Sequence, residues 1–499
     1  MSLARGLYAF LCWFGPGIFG GLLAQFLPEG GKDKPPPPFN LLIPVHSGDR
    51  TLGSFSARHA IQKYYDENPR GPLVIQITMN NPHRELPNSL AADIAQRMNG
   101  AAALIEHRGF GETWTHWLNY KGKQAAQNLH ERIGNRTARV FPEKMIVVGK
   151  GYSGFLAAAL RQRFPHRFDA ALAIEAPTRG LSFSWSHADP DQYLYKDAIS
   201  RLFKRRSEFG AKNIRKSFDL IEDRIKQGDT KDLQKGLFLC TEPTARNNTA
   251  ISTLQDLYSE IFVNAAAVGS ESANYLSPDT IDSLIAQATK QEITTRQELL
   301  SELGLKHLRH LQRKVSGDLS QLLEIVKSKG KCIDWEKHIS RGNEKHATVM
   351  TENHYRPLAY IACTYFSLCV LNSRGDGLFP SRTNACAKLR LSCRDTFEGK
   401  AVATPQAEIW KQYKLSPQDL SNSSRIFFSV DTSDPMTALV AADPPSGGGL
   451  CSSSVRREFN IASHQGFTRE QALRASRAAQ AQKLMEWMGC PQENATGRL

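Results

Sequence analysis

Residues Ile146–Arg167 read IVVGKGYSGFLAAALRQRFPHR. A β-branched run, Ile146-Val147-Val148, passes into a glycine-rich turn and directly into a helix built on small residues. That order is the context of a G-x-S-x-G nucleophile elbow, whose tight turn exposes a central side chain above a sheet. Set on the template from Gly149, the five positions are Gly149, Lys150, Gly151, Tyr152 and Ser153, so the nucleophile position holds Gly151. Tyr152 follows it, and the residue after the tip is the one whose backbone N–H such a turn offers to an oxyanion. Ser153 lies two residues past the tip, in the first helical turn, where its side chain points roughly 200° away from the tip direction. It reads as a small residue filling the place where helix and strand pack.

Outward from this stretch the chain alternates strand and helix from about Phe39 to Pro177. The apolar runs Leu73–Met79, Ala101–Glu106, Met145–Val148 and Ala170–Ile174 suit buried parallel strands, with helical stretches at Gly122–Ile133 and Phe155–Phe164. The pattern predicts an α/β fold with a mostly parallel sheet covered on both faces. After about Ser184 the segments become charged and helix-periodic, as in Ile214–Lys226, Ile251–Val263 and Leu299–Val326. Strand-like runs return at Arg425–Val430 and Glu458–Ala462, before an amphipathic helix around Arg469–Met488. The economical division is residues 39–184 and 401–499 as two parts of one sheet core, with residues 185–400 inserted as a helical cap over the strand ends, where α/β ligand sites form.

Composition is that of a globular chain: 499 residues, 41% hydrophobic, with 63 basic and 49 acidic residues giving a net charge of +14. The densest basic runs, Arg201–Lys216 and Lys306–Lys314, carry Leu, Phe and Ile at helical spacing. They read as solvated helix faces, and no nucleic-acid module accompanies them. His307 and His310 share one face of such a helix without a third ligand nearby in sequence, so they read as surface histidines and no metal is expected. Residues 1–28 combine Arg5 with an apolar run from Leu7 to Leu27, the layout of a secretory signal peptide, or of a signal anchor if left uncut. Residues 29–38 end in four prolines, a stiff extended spacer. Outside that leader stand Cys240, Cys332, Cys363, Cys369, Cys386, Cys393, Cys451 and Cys490, an even set that fits disulfides of open pairing. Glycosylation sequons at Asn135, Asn247, Asn422 and Asn494 suit the same secreted or lumenal route.

Several motifs together resemble the serine peptidases related to lysosomal Pro-X carboxypeptidase and dipeptidyl peptidase II. GKGYSG followed by FLAAALRQRFPH is similar to that family's GGSYGG elbow and the helix after it. Glu106–Thr113 (EHRGFGET) resembles EHRYYGxS, and Ala170–Pro177 (AALAIEAP) resembles the ALAxSAP strand. Ser429–Met436 (SVDTSDPM) resembles SNGxLDPW; Ser446–Gly449 and Ala462-Ser463-His464 resemble the glycine run and histidine motif that follow. Tyr360–Thr364 and Cys393–Phe397 are similar to the family's cysteine segments. The resemblance implies an α/β-hydrolase fold with a large helical cap, no cofactor, and a serine triad.

Residue by residue, the resemblance makes Asp434 the triad acid and His464 the base, with Gly151 where the serine stands. Glycine has no hydroxyl, so acyl transfer through that position is chemically impossible. Departures accompany it: Gly109 replaces a tyrosine, Met436 replaces a tryptophan, and Thr437–Pro445 are inserted. Met79-Asn80-Asn81-Pro82 replaces the oxyanion loop, and Pro82 lacks an N–H. The expectation is a catalytically impaired homologue that binds a short peptide, with proline near the scissile bond by ancestry; a homodimer is left open. The alternative is an active peptidase or esterase that uses Ser153 or a water activated by His464.

Overall fold

The computed structural model describes residues 40–46, 49–64, 71–79, 82–107, 144–181, 190–237, 239–243, 248–267, 335, 363–364, 372–383, 390–391, 393–395, 397, 404–440, 454–459 and 469–489. The expected leader, the helices at Gly122–Ile133 and Leu299–Val326, His307 and His310, and His464 lie outside the described residues.

Strands β1 (Asn40–His46), β2 (Asp49–Lys63), β3 (Leu73–Thr78), β4 (Ala101–Glu106), β5 (Met145–Lys150), β6 (Ala170–Ile174), β7 (Ile426–Asp431) and β8 (Val455–Phe459) form one sheet in the order β1-β2-β4-β3-β5-β6-β7-β8. β2 runs antiparallel to β1 and to β4, and every other pairing is parallel. Parallel strands require helical crossovers, and the helices cover both faces. Alternate residues therefore enter two different cores. Ile75, Ile77, Ala103, Val147, Ala173 and Phe428 face helix α2 (Tyr152–Arg163) and the helix at Gln406–Tyr413. Val74, Leu104, Val148, Leu172 and Phe427 face α1 (Leu90–Arg97) and the C-terminal helix Arg469–Met488, whose Leu484 and Trp487 are wholly buried. Helix α1 begins at Ser89, whose hydroxyl accepts the Ala92 N–H at 3.0 Å.

Between β6 and β7 the chain builds a third core from α3 (Leu194–Arg206), α4 (Glu208–Gln227), α5 (Thr230–Leu237) and α6 (Asn248–Ala267). Phe203, Phe218, Tyr258 and Phe262 meet there as edge-on and tilted rings. The basic run Arg201–Lys216 lies on α3 and α4, where Lys212 pairs with Glu208 at 3.1 Å and Arg215 with Asp219 at 2.6 Å. Those i,i+4 pairs sit on a solvated helix face. Cys363 and Cys393 form a disulfide, and Cys240 is also disulfide-bonded.

Among the expected strands, β3 ends one residue early at Thr78, β5 runs on two residues to Lys150, and β7 and β8 are displaced. β8 is Val455–Phe459 rather than Glu458–Ala462. It is the last strand of the sheet, so only Val455 and Phe459 pack against the core while the intervening Arg456, Arg457 and Glu458 are charged. β7 starts one residue later than expected because Arg425 stands at φ 56, a left-handed residue that turns the chain into the strand. Among the described residues no helix is long and apolar enough to cross a membrane.

Candidate active site

The β5–α2 junction is a single-residue turn. Gly151 has φ 57 and ψ −121, a conformation L side chains rarely adopt, and its N–H donates to the Ile174 carbonyl at 2.9 Å. Among the described residues, a Cβ built on Gly151 meets no atom within 4 Å, so the tip of the turn faces open space. The base of the turn is crowded: a Cβ on Gly149 would collide with the Ser153 carbonyl, and one on Gly154 would lie 2.9 Å from the carbonyls of Gly149 and Ile174. Close approach of helix to strand therefore fixes those glycines, and the turn conformation fixes Gly151.

Tyr152 opens α2, with its backbone N–H at the positive end of the helix. Its buried phenol lies 3.2 Å from Nε2 of His107, and its ring stacks toward Phe155. Ser153 points down, and its hydroxyl donates to the Ile77 carbonyl in β3 at 2.7 Å. Ser153→Ala is expected to lower unfolding free energy by about 1 kcal/mol, the usual worth of one such bond, in urea denaturation.

The loop after β7 carries Asp434. Its side chain accepts the Met436 N–H at 2.8 Å and caps a short 3-10 turn, Pro435–Leu439. One turn back, Asp431 accepts the backbone and hydroxyl of Ser433 at 2.9 and 2.7 Å. Burial raises the Asp434 pKa well above the ordinary carboxyl value, and the nearby Glu175 and Asp431 add to the rise. The Met436 N–H and Lys150 oppose it without cancelling it. Tyr195 on α3 lies close enough that burial and Asp434 push its phenol pKa up as well.

Two residues that sequence reasoning passed over stand at the centre of this floor. Lys150 ends β5 and Glu175 follows β6, and their side chains form an ion pair at 3.1 Å. The parallel register sets Lys150 opposite Ile174, so the next residue of β6 reaches the lysine. Glu175 adopts φ 45, is 4% exposed, and donates its N–H to the Ser429 carbonyl of β7 at 2.8 Å. The available signal was two charged letters inside otherwise small, apolar motifs.

Beside Asp434 a cavity of about 270 Å³ opens between α3 and the β7 loop, lined by Arg179, Arg201, Arg205, Thr437, Arg456 and Glu458 among others. Arg179 is held by Asp191 at 2.5 Å and Arg456 lies 3.1 Å from Glu458. Among the described residues no group of histidine, cysteine and carboxylate side chains is placed to hold a metal ion. Met79 packs against the core beneath α2 and Pro82 is buried. Asn422 is exposed and donates its amide to the Gln418 carbonyl at 3.1 Å. Gly109, Asn80, Asn81, the Ser446–Gly449 run, and Asn135, Asn247 and Asn494 lie outside the described residues.

The chain is 26% identical over 252 residues to the lysosomal Pro-X carboxypeptidase of Pongo abelii, covering 47% of this chain and 49% of that protein. The Homo sapiens protein of the same name is 25% identical over the same shares. A putative serine protease of Caenorhabditis elegans, K12H4.7, is 23% identical over 58% of this chain and 60% of that one. The chain thus spans about half the length of the carboxypeptidases it matches. Among solved structures, the acetyl esterase MekB aligns over 91% of this chain and 97% of its own at 9% identity, with a TM-score of 0.29, too loose an overlap to carry an argument. The family model described as serine carboxypeptidase S28 matches residues 50–448, most of the chain, and the protein belongs to that family.

Proposed function

We propose that this chain is a catalytically silent member of the serine carboxypeptidase S28 family, a peptide-binding homologue that travels the secretory pathway. The observation that carries this reading is Gly151: the turn keeps the strained geometry that would present a nucleophile, its tip faces open space, and the residue there has no side chain. Ser153 is an unsuitable replacement, since its hydroxyl is already bonded to the Ile77 carbonyl below the turn. Asp434 at the β7 loop fits the triad acid, with His464 as its partner by motif. The lysosomal relatives support a lumenal destination. The arginine-lined cavity beside Asp434 suits the carboxylate of a short peptide; proline near the peptide's end follows from the relatives' name alone.

Labelling of the purified protein with a fluorophosphonate, paired with calorimetric titration of short proline-containing peptides, tests this. The expected result is no labelling together with measurable binding, weakened when the peptide's free carboxylate is amidated. Labelling of the natural protein that disappears in Ser153→Ala or His464→Ala would instead establish an active hydrolase of altered mechanism.

A further inference from the structure

We propose that the Lys150–Glu175 ion pair is a second block on the reaction, independent of the missing hydroxyl, so that serine at position 151 alone does not rebuild an efficient nucleophile. The inference rests on Gly151 standing in the nucleophile position. The pair flanks the turn on the side of the acid loop. Lys150 immediately precedes Gly151, and Glu175 immediately follows Ile174, whose carbonyl accepts the Gly151 N–H. Both letters also depart from the motifs that the neighbouring residues match: the elbow GGSYGG has glycine at the position of Lys150, and ALAxSAP has serine at that of Glu175. Three departures thus meet within one patch of floor, and two of them compensate each other in charge.

The chemistry of a triad explains why this matters. As the serine Oγ attacks, its proton passes to the histidine, and the carboxylate beside that histidine must be anionic to stabilise the imidazolium. Here Glu175, Asp431 and Asp434 are all buried, and the Lys150 ammonium stands 3.1 Å from Glu175, favouring the Asp434 anion by less than Glu175 disfavours it. A second negative charge on Asp434 is therefore disfavoured by its neighbour as well as by burial. Glu175 also holds a left-handed backbone conformation, which is costly for a non-glycine residue. The ion pair and the hydrogen bond to the Ser429 carbonyl help to hold it. Removing lysine and glutamate together leaves the net charge of the floor unchanged and takes away the carboxylate that, after burial, most raises the Asp434 pKa.

The test compares fluorophosphonate labelling of the full chain as Gly151→Ser, as Gly151→Ser with Lys150→Gly and Glu175→Ser, and as Gly151→Ser with Lys150→Met and Glu175→Gln. In each, the serine oxygen would bond to phosphorus, fluoride would leave, and the serine proton would pass to the base. The expected result is slow labelling of the single variant and roughly 10²-fold faster labelling of both triple variants, the scale of a working acid–base pair. The near-isosteric methionine–glutamine form guards against a folding failure of the smaller one, and thermal unfolding of each confirms a folded chain. Triple variants that label no faster than Gly151→Ser, including the case in which none labels, overturn the inference. Labelling of the natural protein overturns the proposed function instead, so the two failures are distinguishable.

Discussion

Replacing Arg161 by leucine is expected to lower the free energy of unfolding by about 3–5 kcal/mol, among the largest losses a single change in this chain should cause. Arg161 lies in the last turn of α2, is 2% exposed, and spreads its guanidinium over main-chain carbonyls. Its Nε donates to the Ser424 carbonyl at 3.1 Å, and Nη1 donates to the carbonyls of Pro165 and Phe168 at 2.8 and 3.0 Å. Nη2 donates to the Ser424 hydroxyl at 2.7 Å. One side chain therefore ties the end of the elbow helix to the entries of β6 and β7. Leucine fills part of the volume but takes the donors away from three carbonyls, of which that of Phe168 is buried and those of Ser424 and Pro165 part-buried, and a buried group left unsatisfied costs on the order of 1–3 kcal/mol. Lysine keeps the charge yet lacks the planar fork that reaches all four acceptors, so Arg161→Lys should recover less than half of the loss. Urea unfolding of the three forms measures this. A loss under about 1 kcal/mol for leucine would mean that water replaces the guanidinium, and that the α2–β6 connection is looser than its hydrogen bonds indicate.

The same helix shows what a sequence can and cannot disclose. The sheet was legible because parallel strands covered on both faces must be apolar along their whole length, and LVIQIT, AAALIE and AALAI are written that way. The turn at Gly149–Gly154 was legible because close backbone approach admits only glycine at its base. The β1–β2 hairpin was not, since DRTLGSFSARHAIQK mixes small and charged residues and carries no continuous apolar run. β8 was displaced by three residues because a terminal strand needs only its alternate positions apolar, and VRREF hides that pattern behind three charges.

The candidate site was partly legible for a different reason. Asp434 and Gly151 sit in motifs, and motif letters survive translation into one dimension. Lys150 and Glu175 sit in motifs too, but as departures from them. A lysine in a glycine-rich turn and a glutamate after a strand look like solvated loop charges, and 24 positions separate them. Only the β5–β6 register sets one beside the other, and only the sheet's buried end makes the contact consequential. Local pattern reports which face a residue takes, whereas a buried charge pair is a property of register.

Asp434→Asn is expected to make the protein progressively more stable than its parent as pH rises. Burial is the main cause of the raised Asp434 pKa; Glu175 is the next, with Asp431 contributing, while the Met436 N–H and Lys150 act the other way. Tyr195 faces the same carboxyl from α3. A carboxyl whose pKa rises on folding holds its proton more tightly in the folded chain. Its favourable contribution is complete below the unfolded value near 3.8, and it is lost as pH climbs from there through the raised folded value. Within that window Asp434 costs the parent up to about 1.4 kcal/mol per pH unit, a penalty that asparagine, with no carboxyl proton to lose, escapes. The asparagine carbonyl still accepts the Met436 N–H, so the cap on the 3-10 turn remains. Urea unfolding of both forms from about pH 4 to about pH 8 measures the difference, which should be smallest at the acid end and widen in asparagine's favour. Glu175→Gln, made in the parent, should flatten part of that slope by removing the second-largest cause. A difference that stays constant across the range would mean that Asp434 ionises as an ordinary carboxyl, and that the floor beneath Gly151 already admits the anion a triad requires.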